Sequence, residues 1–299
     1  MFEVKGIITA LLTPMYEDES INEQELRNQV NRQIEAGVHG LFLLGTNGES
    51  YILSDKEKIR IIEAAAEENR GRLPVYAGTG LPGTAETIRL SRDAIKAGAN
   101  ALSIITPYFA ALSQDELYGH YAALADAVDV PIILYNIPAR TGVNIMAETA
   151  EKLKKHGNIA GIKDSSGNFD TILQYVERAG DKLAVLSGND SLVLWTLQAG
   201  GKGGVCGLAN LFPRTLVSLY ELWKAGKFEE AKKAQDSLRA IRSCFSLGNP
   251  NTIVKLAANL LGHPVGACRK PFHTENPTVK QKLKEVLDKY YTEKTTLSD

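Results

Sequence analysis

Short apolar runs recur along the chain at nearly even spacing, and this recurrence narrows the possible folds more than any other feature. The runs are GIITALL (6–12), GLFLL (40–44), PVYAG (74–78), ALSII (101–105), PIILY (131–135), IAGIK (159–163), LAVLS (183–187) and GGVCG (203–207). Their starts lie about 28 residues apart on average. Each run is continuously apolar rather than alternating, the pattern of parallel strands covered on both faces. Between them lie amphipathic stretches. In residues 54–70, Ser54 followed by Glu57 forms a capping-box signal, and Ile59, Ile62 and Ala66 share a face. Residues 83–97 and 113–127 read as helices starting at Thr84 and Ser113, and Gly37 and Gly98 stand where helices end. Eight strand–helix units specify an α/β fold, a (β/α)8 TIM barrel. A doubly wound open sheet usually has fewer strands and a glycine-rich first turn, and the first turn here, LLTPMYED, lacks that signature.

The barrel is expected to occupy residues 1–224. Residues 227–246, 251–262 and 277–290 then read as three further helices, giving a helical C-terminal region, 225–299, whose polar tail TEKTTLSD is expected to fray. A net charge of −1 gives no general attraction to nucleic acid or to a membrane surface. No apolar run reaches the roughly 18 residues that a membrane helix needs, and the N-terminus lacks the pattern of a signal peptide. Three scattered cysteines, Cys206, Cys244 and Cys268, point to reduced thiols and a cytoplasmic location. His39, His120, His156, His263 and His273 never fall at metal-ligand spacing, so no metal is expected.

Barrel active sites lie at the C-terminal ends of the strands. There the chain places GTNGES (45–50), TPYF (106–109), YNIPARTG (135–142), Lys163 and SGND (187–190). That ring offers one amine, a phenol, hydroxyls and glycine-rich backbone. A strand-end lysine either snorkels to solvent or, when desolvated, attacks a carbonyl to form a Schiff base. In the second case Tyr135 is a natural proton shuttle with Thr46 as its relay, and the loop 45–48 can offer N–H groups to a carboxylate. Tyr135 is equally compatible with a core tyrosine. The glycines of GGKGGVCG (200–207) fit a phosphate cradle or, more simply, closure of the barrel. Cys206 has no basic neighbour in sequence to activate it and reads as a buried thiol.

GTNGES, YNIPARTG, GIKDSSGN and LSGND occur in an order and spacing that resemble the dihydrodipicolinate synthase / N-acetylneuraminate lyase family over roughly residues 3–290. The resemblance implies a Schiff-base enzyme that joins pyruvate to an aldehyde or releases it. It implies that Lys163 forms the imine, that Tyr135 and Thr46 move protons, and that the backbone N–H groups of Thr46 and Asn47 hold the pyruvate carboxylate. It further implies that Gly188 and Val205 line the lysine pocket and that Arg140 binds a carboxylate on the aldehyde. It implies neither metal nor organic cofactor, and a homotetramer built as a dimer of dimers. Two positions depart from the synthase pattern: Asn47 replaces a threonine, and Phe109 stands where a neighbouring subunit lends a tyrosine to the relay. These departures favour a 2-keto-3-deoxy sugar acid or hydroxy-oxo acid aldolase. Dihydrodipicolinate synthase is the alternative, followed by N-acetylneuraminate lyase and a non-catalytic keto-acid sensor.

Overall fold

The computed structural model describes residues 3–272 and 276–291. Eight strands, β1 (Gly6–Ala10), β2 (Gly40–Leu43), β3 (Val75–Gly78), β4 (Ala101–Ile105), β5 (Ile132–Asn136), β6 (Ile159–Asp164), β7 (Ala184–Ser187) and β8 (Gly203–Cys206), form a closed parallel barrel. The expected (β/α)8 fold is therefore the observed one, and each strand begins within one residue of its apolar run. The barrel closes where Gly6 pairs with Gly203. A Cβ on Gly203 would lie 2.0 Å from the Gly6 carbonyl oxygen, so glycine there lets the two strands meet. Closure, not phosphate binding, accounts for this glycine.

The outer helices are α1 (Glu23–Glu35), α2 (Asp55–Asn69), α3 (Thr84–Lys96), α4 (Gln114–Ala127), α5 (Pro138–Thr141), α6 (Ala147–Leu153), α7 (Phe169–Ala179), α8 (Val193–Gln198) and α9 (Pro213–Lys224). Ser54 and Ser113 each complete a capping box with Glu57 and Glu116. The cap of α3 is Gly83 rather than Thr84, which is already helical. Beyond the barrel lie α10 (Phe228–Ser237), α11 (Arg239–Ser243), α12 (Pro250–Leu260) and α13 (Pro277–Tyr290). The helix expected over 227–246 is thus broken at Leu238. The polar tail lies outside the described residues, as does His273.

One apolar cluster fills the space between strands and outer helices, and another joins α8 and α9 to the C-terminal helices. The third is the barrel interior, where Ile8, Tyr76, Ile133 and Leu186 belong to one cluster with Phe42 and Val205. In a barrel of this kind, inward side chains stack in layers of four from alternate strands, because register slips about one residue per strand. Applied to the observed pairing, that slip puts Ile8, Tyr76, Ile133 and Leu186 in one layer and Phe42, Ser103, Lys163 and Val205 in the layer above. The next layer toward the mouth holds Ala10, Gly78, Tyr135 and Gly188. Three of those four are small, and the fourth, Tyr135, has its ring over the Lys163 amine.

Candidate active site

Lys163 is the penultimate residue of β6 and is buried. Its Nζ lies 3.7 Å from the centroid of the Tyr135 ring and 4.9 Å from that of Phe42. Among the described residues no carboxylate comes within 4 Å of it. The amine is therefore held against aromatic faces and is not neutralised by an ion pair.

Tyr135, on β5, is buried with its hydroxyl 3.4 Å from Thr46 Oγ1, so either oxygen is placed to donate. Burial raises the pKa of the Tyr135 phenol. The opposing pull of the Lys163 charge, with hydrogen bonding to Thr46, Lys163 and Ser165, outweighs it and leaves the phenol below its ordinary value. Such a phenol gives up a proton more readily than free tyrosine and can take one back from the amine. Gly188 leaves room for the lysine: a Cβ there would stand 2.0 Å from Ser165 Oγ and 2.9 Å from Lys163 Cε.

The loop after β2 carries Thr46 and Asn47 between two left-handed non-glycine residues, Leu44 (φ 60°) and Glu49 (φ 54°). Backbone held this way is costly and persists only where the surroundings fix it. The fixing comes from the C-terminal region. Glu49 and Lys255, both with no exposed side-chain surface, stand 2.6 Å apart, in an ion pair rather than a well-angled hydrogen bond. Lys255 Nζ donates to the Ala267 carbonyl at 2.8 Å, and the Arg269 backbone N–H donates to Glu49 at 2.9 Å. The Arg269 guanidinium bonds Glu57 and holds its carboxyl down at about 2.

A second network ties the ends of β5 and β6 together. Asn136 Nδ2 donates to Asp164 at 2.8 Å, and Ser166 Oγ donates to the same carboxylate at 2.7 Å. Sequence reading missed Glu49, Lys255, Asn136 and Asp164. A lysine inside the apolar run of α12 was a visible signal, but nothing local named its partner.

A cavity of about 310 Å³ opens over this centre, with Tyr135, Thr46, Arg140, Tyr108, Tyr51 and Ser103 among its lining. Lys163, Gly188, Val205 and Asn47 are not part of that lining. Lys163 lies behind the Tyr135 ring, and Val205 sits in the lysine's own layer. Arg140, on the short helix α5, is exposed at the mouth, with Nη2 3.0 Å from Asn249 Oδ1. Phe109 is wholly exposed and has φ 84°, whereas its neighbour Tyr108 faces the cavity. Cys206 is buried, its thiol pushed up by burial and by Asp190. Among the described residues no group of three His, Cys, Asp or Glu side chains is placed to hold a metal ion. No helix of the described residues is long and apolar enough to cross a membrane.

A TIM barrel with a buried strand-end lysine under a phenol defines a class I aldolase, a carbon–carbon lyase that works through a lysine Schiff base with pyruvate as donor or product. Within that class the Dihydrodipicolinate synthetase family matches residues 3–290, and the chain belongs to it. It is 40% identical over 291 residues to a 4-hydroxy-tetrahydrodipicolinate synthase of Methanopyrus kandleri, covering 96% of this chain and 97% of that one. Its fold is similar to that of the dihydrodipicolinate synthase of Aquifex aeolicus: TM-score 0.93, 34% identity, 99% of this chain and 100% of the other covered. The chloride-inhibited synthase of Acinetobacter baumannii, solved in complex with pyruvate, is similar at TM-score 0.92 and 31% identity, with 95% of this chain and 98% of that one covered.

Proposed function

We propose that the protein is a 4-hydroxy-tetrahydrodipicolinate synthase that condenses pyruvate with aspartate semialdehyde. The observation that carries this reading is identity of 40% across nearly the full length of a protein of that name. It replaces the sugar-acid aldolase as the leading reading, because a likeness spanning the whole chain outweighs two substituted positions.

In this reading the Lys163 amine attacks C2 of pyruvate. The carbonyl oxygen departs as water, leaving an iminium that draws electrons from the neighbouring carbon. Tyr135 carries the protons of that exchange, with Thr46 as its hydroxyl partner. Loss of a proton from C3 gives an enamine, whose carbon forms the new bond to the aldehyde carbon. Attack on the imine carbon, by water or by the amino group of the aspartate semialdehyde portion, breaks the bond to Lys163 and returns the free amine. The backbone N–H groups of Thr46 and Asn47 hold the keto acid's carboxylate, and Arg140 at the mouth holds that of the aldehyde. Gly188 and Val205 shape the lysine's pocket. Residues 1–224 carry the chemistry, and the described helices of the C-terminal region 225–299 brace its mouth.

We also propose a cytoplasmic homotetramer arranged as a dimer of dimers. An aromatic side chain in full solvent on strained backbone, as at Phe109, supports a second copy covering that loop. The three buried free thiols suit a reducing compartment.

Phe109 favours a second reading, a 2-keto-3-deoxy sugar acid aldolase, since it lacks the hydroxyl that ends the synthase relay. Condensation with aspartate semialdehyde is to be measured beside pyruvate release from keto-deoxy sugar acids, 4-hydroxy-2-oxoglutarate and neuraminate. The synthase reading expects the highest kcat/KM in condensation. A higher value on any cleavage substrate, or turnover of none, contradicts it.

A further inference from the structure

Ser103 belongs to the same interior layer as Lys163, with Phe42 and Val205 as the other members, by the stagger of strand register. Lys163 Nζ lies 4.9 Å from the Phe42 centroid, as members of one layer should. Below them the barrel is closed by Ile8, Tyr76, Ile133 and Leu186, all buried. Ser103 is thus the one hydroxyl in this layer. It lines the cavity, is only 4% exposed, and its Oγ has no hydrogen-bond partner among the described residues.

A buried hydroxyl without a partner is costly, and a serine that serves only structure bonds a nearby carbonyl. Elsewhere in this barrel Thr9 donates to the Gln33 side-chain carbonyl, Thr13 to the Gly48 carbonyl and Thr106 to the Thr141 hydroxyl. Ser103 instead faces open space, because Gly78 pairs with it on β3 and adds no side chain.

We infer that Ser103 is a specificity-determining residue whose hydroxyl donates a hydrogen bond to an oxygen of the 2-keto acid carried on Lys163. The inference rests on the Schiff-base reading above. Once the keto acid is joined to Lys163, its atoms lie within the cavity close to this layer, and the neighbouring positions there are aromatic or aliphatic. Ser103 then supplies polar selection on the β4 side of the ligand, complementing the loop after β2. A keto acid is bound more tightly for it, while the aldehyde, which enters from the mouth, is not affected.

The test uses the full-length protein, pyruvate as probe, and borohydride trapping at Lys163 followed as intact mass against pyruvate concentration. Ser103→Thr and Ser103→Val are nearly isosteric and differ in the hydroxyl, and Ser103→Ala removes it without added bulk. Ala and Val are expected to need about three- to tenfold more pyruvate for half-maximal trapping, the size of one hydrogen bond. Thr is expected to stay near wild type, with the KM for the aldehyde unchanged in all three. Wild-type behaviour of Ala and Val overturns the inference, and so does equal impairment of Thr and Val, which would implicate volume. A change in melting temperature without a change in trapping leaves only a structural role and overturns it as well. Failure of the wild type to trap pyruvate at Lys163 overturns the Schiff-base reading first and this inference with it.

Discussion

Lys163 and Lys255 are both buried, one at the end of β6 and the other in α12, yet their surroundings differ in kind. Lys255 meets a carboxylate at 2.6 Å and a carbonyl at 2.8 Å, so its charge is matched and its protons are used. Lys163 meets the faces of Tyr135 and Phe42 instead. Burial alone therefore does not make an amine reactive. What separates the two is the partner: a fixed carboxylate turns a lysine into a clamp, whereas aromatic faces leave its charge unpaired, the setting that the Schiff-base reading requires. The clamp also serves the reactive site, because Glu49 holds the loop that carries Thr46.

Breaking the clamp has the largest expected effect. Glu49→Gln or Lys255→Met alone leaves one buried charge unmatched and is expected to cost about 3–5 kcal/mol in urea unfolding. The double variant is expected to recover much of that loss. If each single variant is as stable as wild type, the ion pair is not holding the loop. If the double variant loses the sum of the two, the residues act independently and the comparison fails.

Arg140 stands where the two regions meet, bonded to Asn249 just before α12. Arg140→Ala is expected to raise KM for the acidic aldehyde by about 10- to 150-fold, the worth of a charge-assisted contact of about 1.5–3 kcal/mol. Trapping of pyruvate at Lys163 should be unchanged. A parallel loss of pyruvate binding would assign Arg140 to the keto-acid side or to the fold.

How much of this was legible in the sequence follows from the range of each interaction. Strands were readable because a parallel strand buried on both faces writes its burial into consecutive residues, as ALSII does in β4. Capping at Ser54 and Ser113 was readable for the same reason: both partners lie within four residues. The break at Leu238 was not, because α10 and α11 are each plausible continuations of one amphipathic pattern, and packing against the core decides. The pair of Glu49 with Lys255 joins segments far apart in the chain, and only folding brings them together. Ser103 carries no signal within the run ALSII, since the layer that makes its hydroxyl meaningful depends on register between strands. Phe109 was noticed as a missing hydroxyl, but its exposure, and the inward placement of Tyr108, came only from the structure.

The central claim is that of these two buried amines only Lys163 reacts with a keto acid. The direct measurement is peptide mapping after incubation with pyruvate and borohydride. The account predicts one modified site, in the peptide containing Lys163, and none in Lys163→Ala. Absence of any adduct, an adduct that survives Lys163→Ala, or modification of Lys255 would contradict it.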